Sequence, residues 1–126
     1  MKQTMDQVRI AYALKVIKVW QASRHQSELG NHINSLPALI HMNGLGQALA
    51  FYKCNDAAHI DIYKALSAWL CGDNAGRVTS KVNADILDAL AVEDMHIYMA
   101  AQNEAQALLM WLKKLAKAHL TQVERS

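Results

Sequence analysis

The chain is poor in the residues that break helices or cross-link small domains. It contains one proline and five glycines in 126 residues, which are too few for a disordered chain or a turn-rich β fold. Two cysteines, Cys54 and Cys71, are fewer than a secreted disulfide scaffold uses, so we expect reduced thiols in the cytoplasm. No apolar run approaches the roughly 18 residues that span a bilayer, and the N-terminus lacks a signal-peptide cleavage site.

A strong excess of either charge is also missing. The formal net charge of +2 neither requires nor excludes a nucleic-acid partner. The length suits one domain, residues 1–126, and about half of the residues are apolar, so a self-sufficient core is feasible.

Helix signals are abundant. Thr4 and Gln7 form a capping-box pattern that predicts a first helix running to about Gln26, with Gly30 and Asn31 as its stop. A start of the second helix before Pro37 would place a kink there. The further predicted helices cover residues 35–42, 46–53, 56–70 (capped by Asp56), 84–91 (capped by Asn83 or Ser80), and a last one from Glu93–Asp94 to about Leu120. The polar segment 71–81 is the predicted loop. No segment alternates like a strand, which predicts an all-α fold, a compact bundle of five to six helices.

Residues 43–51 read NGLGQALAF and resemble a glycine-rich phosphate loop at first sight. The dinucleotide pattern requires a third glycine after a strand, whereas here Leu49 occupies that position and a helix precedes it. The pattern therefore favours a sharp helix–helix corner at Gly44 and Gly46. A lesser alternative is that the free amides at the start of the next helix, residues 46–49, receive one phosphate.

No catalytic constellation is present in the sequence. The HExxH, CxxC, GxSxG and Walker patterns are absent. The six histidines are scattered, and none repeats at i, i+4 together with a carboxylate partner, which favours isolated surface or cap histidines over a metal site. We therefore expect a non-enzymatic protein without catalytic residues, metal or cofactor.

The last helix has two faces of different chemistry. Its apolar face includes Trp111, which together with Trp69 is expected to anchor the core, with a loss of about 3–5 kcal/mol for Trp111→Ala. The opposite face carries basic and amide side chains that could follow a nucleic-acid backbone, or that form an ordinary solvated surface: Lys113, Lys114, Lys117, Asn103 and Gln106. Three further lysines, Lys15, Lys18 and Lys53, are candidates for the same contact.

The order of these motifs resembles a known family over nearly the full length. The segments that carry the resemblance are residues 6–9, 11–13, 36–40, 43–51, 66–71, 104–105 and 108–116. The chain resembles the small, all-helical subunit of the Cmr complex, the type III-B CRISPR effector that targets RNA. The resemblance implies a non-catalytic subunit that stacks in several copies beside other Cmr subunits and contacts guide and target RNA during antiviral defence. It implies RNA contact through the basic residues above, with Asn43 and Gln47 as the only partner-contacting side chains of 43–51. It also implies a monomer when isolated.

Two departures from the family pattern concern its N-terminal half. Some members carry a basic residue just before the Asn–Gly pair, where this chain has His41 and Met42. Arg9 lies between Val8 and Ile10 and is therefore expected to serve packing instead of RNA binding.

Two other functions compete with this interpretation. A helix-turn-helix DNA-binding regulator would use the short second and third helices as its motif, but LGQALAFYK is too apolar for a recognition helix. A protein-only adaptor would leave the basic face without a ligand.

Overall fold

Six helices form the described part of the chain, and their connections are short except for residues 72–85 between the fourth and fifth helices. The computed structural model describes residues 2–121. The helices are α1 (Met5–Gln21), α2 (Gln26–Asn43), α3 (Leu45–Lys53), α4 (Ala57–Cys71), α5 (Ile86–Val92) and α6 (Met95–His119). Residues 2–121 contain no strand, and the prediction of an all-α bundle of five to six helices is confirmed.

Three of the six predicted helix starts are confirmed by their caps. Thr4 and Gln7 form the complete capping box, because each side chain accepts a hydrogen bond from the other's backbone amide. Asp56 and Asp94 likewise cap α4 and α6 with their side chains. The cap predicted for α5 is wrong, because Asp85 takes that position instead of Asn83 or Ser80. The Ser67 hydroxyl of α4 accepts a hydrogen bond from the Ile86 amide, the first of the helix.

The predicted boundary between α1 and α2 is also wrong. α1 ends at Gln21, and α2 then continues through Gly30, Asn31 and Pro37 without interruption. Glycine and proline each disfavour a helix interior, by about 1 and 3 kcal/mol. The buried positions of α2 outweigh this loss because they recur at helical spacing and are all inaccessible to water: Leu29, Ile33, Leu36 and Ile40.

α6 is the central packing element. It lies mainly against α1 and α2, and it also contacts α4, while α3 fills the space between α2, α4 and α5. The Trp69 ring of α4 lies in this core and is 1% exposed. It packs against the Tyr12 ring of α1, with the ring centroids 4.6 Å apart. The prediction that Trp69 anchors the core is confirmed.

Trp111 lies at the edge of the core instead of inside it. Its ring is only partly buried, and its Nε1 donates a hydrogen bond to Asp6 Oδ1 at 3.4 Å, in the first turn of α1. The expected role as a core anchor is therefore wrong. The residue stands at the border between the apolar and polar faces of α6, where α1 covers one side of the indole.

Two glycines provide a test of how tightly this core is packed. A methyl group at Gly76 would overlap the Trp69 indole, whereas a methyl group at Gly30 would meet no atom within 4 Å. We expect Gly76→Ala to lower the free energy of unfolding by about 1–3 kcal/mol through overpacking. Gly30→Ala should raise it by up to about 1 kcal/mol, because alanine favours the helix interior. Urea unfolding of both variants measures the difference, and equal stabilities would contradict the packing around Trp69.

Candidate nucleic-acid interface

The segment 43–51 forms the sharp corner that its glycines predict. Gly44 ends α2 and precedes α3 with φ 84° and ψ 162°, a conformation that side chains larger than hydrogen rarely adopt. Its amide donates to the Ile40 carbonyl at 2.7 Å. Asn43 and Gln47 lie on either side of this corner with exposed side chains.

The first amides of α3 are already occupied. The Leu45 amide donates to Gln102 Oε1 at 3.0 Å, and the Gly46 amide donates to the Tyr98 hydroxyl at 2.8 Å. Both acceptors come from α6. A Cβ at Gly46 would lie 3.1 Å from the Tyr98 oxygen, so glycine allows this close approach. Of the four amides 46–49 in the phosphate-site alternative, Gly46 is therefore used by α6 and Ala48 donates to the Gly44 carbonyl, which disfavours that alternative.

The basic face of α6 is exposed as predicted. Lys113, Lys114 and Lys117 all face solvent, as does Asn103. Gln106 differs, because its side-chain amide donates to the Pro37 carbonyl of α2 at 2.9 Å. Gln106 therefore joins two helices, and this N–H is not free to contact a partner.

A polar cleft separates α6 from the first half of α2. It has a volume of about 240 Å³, and its lining combines Lys113 and Lys117 with Gly30, Asn31 and Asn34. The sequence did not predict the two asparagines, because a helix stop was expected at Gly30 and Asn31. Their i, i+3 spacing would have indicated a shared face if α2 had been extended through this segment.

Lys15 and Lys18 lie on α1, the other neighbour of α6 on this side. Both are exposed and line a mainly apolar groove of about 380 Å³ with Leu14, Ile17 and His119, among others. Aliphatic lysine stems commonly cover such apolar surface while the ammonium groups stay in water.

Lys53 is engaged elsewhere. Its Nζ lies 3.1 Å from Asp85 Oδ2 and 5.3 Å from the Tyr63 ring centroid. Burial would raise the pKa of Asp85, but hydrogen bonds from Tyr63 and Lys53 outweigh it and lower the pKa. Asp85 therefore carries a negative charge at neutral pH, and Lys53 offers less free positive charge than the lysines of α6.

The candidate residues do not form one continuous patch. Tyr98, which marks the corner with Asn43 and Gln47, precedes Lys113 by 15 positions on α6, or about 22 Å along the helix axis. Lys113 and Lys117 share one cleft, Lys15 and Lys18 share a groove on α1, and Lys53 is paired with Asp85.

The comparison with known proteins identifies the family. The family model Cas_Cmr5, described as a CRISPR-associated protein, matches residues 5–119. The chain belongs to the Cas_Cmr5 family. Its fold matches the X-ray crystal structure of a CRISPR-associated Cmr5 family protein from Thermus thermophilus, with a TM-score of 0.79. The two share 24% sequence identity, and the match covers 94% of this chain and 100% of the other.

Membership in the Cas_Cmr5 family confirms the resemblance read from the sequence. It indicates a subunit of a Cmr CRISPR complex, whose partners include other Cmr subunits. Between residues 2 and 121, no helix combines the length and apolar character that a membrane span requires.

The capped amides of α3 lead to a prediction for Tyr98→Phe. Removing the hydroxyl leaves the Gly46 amide without its acceptor, so we expect a loss of about 1 kcal/mol in the free energy of unfolding. Phosphate or RNA binding should not increase, although one amide is released. Gln47→Ala is the control and should stay within about 0.5 kcal/mol, because that side chain is exposed. Chemical denaturation measures both, and tighter RNA binding by Tyr98→Phe would restore the phosphate-site alternative.

Proposed function

We propose that this Cas_Cmr5 chain is a non-catalytic structural subunit of a type III-B CRISPR ribonucleoprotein that contacts the RNA backbone. The observation that carries the proposal is the polar cleft between α2 and α6, where Lys113 and Lys117 face Asn31 and Asn34. The family supplies the setting, since its model matches residues 5–119. The cleft supplies chemistry suited to a polyanion.

The side chains of the cleft suit a phosphodiester backbone more than bases. Lysine ammonium groups attract phosphates, and asparagine amides can donate to phosphate oxygens or exchange hydrogen bonds with ribose hydroxyls. The residues that line the cleft include no aromatic ring on which a base could stack. Contact at this cleft is therefore independent of sequence, as expected where base pairing with a guide selects the target.

The remaining candidate residues lie outside the cleft. Lys114 follows Lys113 on the exposed face, and Lys15 and Lys18 add positive charge on α1. Asn43 and Gln47 form a separate contact at the α2–α3 corner. Lys53 is the weakest member of the set, because Asp85 neutralises it. In this proposal the RNA follows α6, and several copies of the subunit stack in the cytoplasm beside guide and target RNA.

Protein-only adaptor function is the second candidate, because several large apolar side chains are exposed. Met42 is 78% exposed, and Val92 and Met95 are each 73% exposed. Such side chains are suited to contacts with neighbouring subunits, and an adaptor would need no RNA at the cleft. A helix-turn-helix regulator receives less support, because Lys53 is the only basic residue of α3 and is paired with Asp85.

Replacing Lys113, Lys114 and Lys117 with alanine tests the RNA contact in the assembled complex. We expect weaker capture of target RNA. The slope of the logarithm of the binding constant against the logarithm of salt concentration should also become shallower, by roughly 0.7 for every phosphate of a single strand that the variant no longer neutralises. Fold and assembly should persist, since each exposed substitution changes stability by no more than about 0.5 kcal/mol. Electrophoretic mobility shifts at several salt concentrations measure the affinity and the slope.

Two control variants separate the cleft from charge in general. Alanine at Lys2, Lys64 and Lys81 removes the same charge from three exposed lysines outside the cleft, and should leave the slope near that of the wild type. Asn31→Ala with Asn34→Ala should weaken binding without changing the slope, because the amides are neutral. If both lysine triples give the wild-type affinity and slope, the basic face does not contact RNA and the adaptor function is favoured.

The isolated subunit should behave as a monomer that binds single-stranded RNA weakly and without sequence preference. The reason is that one cleft with two lysines offers few phosphate contacts and no stacking surface. Filter binding with oligonucleotides of equal length and different sequence checks the expectation, and sedimentation checks the monomer. Tight, sequence-selective binding by the free subunit would contradict it.

A further inference from the structure

Three side chains with metal-ligating atoms converge outside the cleft between α2 and α6. They are His32 from the middle of α2, Asp56 at the N-cap of α4, and His59 in the first turn of α4. One ligand atom from each lies within 4.8 Å of the other two. No other group of three or more His, Cys, Asp or Glu side chains with this proximity occurs within residues 2–121.

The carboxylate and one imidazole are already held together. His59 Nδ1 lies 2.8 Å from Asp56 Oδ1, and the same oxygen accepts the His59 backbone amide at 3.2 Å. The aromatic rings of Tyr52 and Phe51 stand nearly perpendicular to the His59 ring, with centroid distances of 4.7 and 5.9 Å. These contacts fix the position of His59, which is buried.

His32 approaches the pair from a different helix. Its ring stacks on that of His59, with centroids 3.6 Å apart and planes tilted by 25°. The Tyr52 hydroxyl donates to the His32 carbonyl at 2.7 Å, which holds this turn of α2 against α3. The ring is only partly buried, so its side chain has room to change rotamer.

The donor types of the cluster suit a cation. Each histidine offers a ring nitrogen, and Asp56 offers carboxylate oxygens, so all three side chains can supply a lone pair to a metal ion.

We propose that His32, Asp56 and His59 form a binding site for a divalent transition-metal ion of the zinc class, which would link α2 to α4. Two imidazoles and one carboxylate are a donor set that zinc and its neighbours prefer. The fourth position would be open to water or to a group from a neighbouring molecule.

Metal binding and the ring stack are alternative states of this cluster. Tetrahedral coordination with bonds of about 2.0–2.1 Å separates ligand atoms by about 3.3 Å, and both ring planes must contain the ion. Two nearly parallel stacked rings cannot meet that condition, so His32 must rotate out of the stack when the ion binds. The movement that brings the three ligand atoms to one ion is small, because these atoms already lie within 4.8 Å of one another.

Titration of tag-free protein with Zn²⁺ and Co²⁺ tests the proposal. We expect one ion per chain by calorimetry and visible Co²⁺ absorption typical of a four- or five-coordinate site. Asp56→Asn and His32→Asn should each weaken binding about tenfold or more, since even outer partners of a metal site contribute this much. Asp56→Asn is informative because asparagine remains a good N-cap, so the start of α4 is preserved while the anionic ligand is removed.

His41→Asn is the matched control, because His41 is an exposed histidine of the same helix α2 outside the cluster. It should bind the ion as tightly as the wild type. In ¹H–¹³C spectra, zinc should shift the ring signals of His32 and His59 and leave those of His25, His41, His96 and His119 in place. Equal affinity in all variants, no binding at micromolar zinc, or zinc-induced shifts confined to the other histidines would overturn the proposal.

Discussion

The carboxylate of Glu104 is the contact on which the arrangement of the helices depends. It accepts two hydrogen bonds from Arg9, at 2.8 Å each, and a third from the Trp69 indole at 3.1 Å. One side chain of α6 is thereby joined to α1 and α4. The Arg9 and Glu104 side chains are only 18% and 10% exposed, so loss of Arg9 would leave the Glu104 carboxylate poorly solvated and destabilise the fold. On loss of Glu104, Arg9 itself would keep its ion pair with Asp6. Arg9 is therefore held between two carboxylates of the fold, which agrees with the expected structural role.

This contact sets the rotation of α6 about its axis. With Glu104 directed at α1 and α4, the neighbouring edge of the helix directs Tyr98, Gln102 and Gln106 toward the α2–α3 corner and the Pro37 carbonyl. The face left over is the one that carries Lys113, Lys114 and Lys117. The exposure of the basic face thus follows from the polar contacts and the buried apolar residues on the other faces of α6, and not only from its charge.

The parts of the fold that the sequence predicted are those encoded by near neighbours. The caps at Thr4, Asp56 and Asp94 connect residues three positions apart, and the glycine corner at 43–46 is set by one backbone conformation. The roles of Tyr98, Gln102 and Gln106 could not be predicted in this way. Their partners lie 52 to 69 positions away, and a polar residue on a helix wheel looks the same whether it faces water or another helix. Trp111 was misplaced for a similar reason, because only the tertiary contact with α1 determines which side of the indole is covered.

Because a helix stop was predicted at Gly30 and Asn31, the sequence did not reveal two groups of side chains on α2. Glycine and asparagine at positions 30 and 31 are local stop signals, but burial of Leu29 and Ile33 on one side of the turn outweighs them. Once the helix continues, its geometry distributes the next residues around the axis by about 100° each. Asn31 and Asn34 then face α6 and complete the cleft with Lys113 and Lys117, while His32 faces α3 and α4 and meets His59. If the segment were a loop, neither grouping would exist, so the tertiary burial that overrides the local signals also creates both candidate binding surfaces.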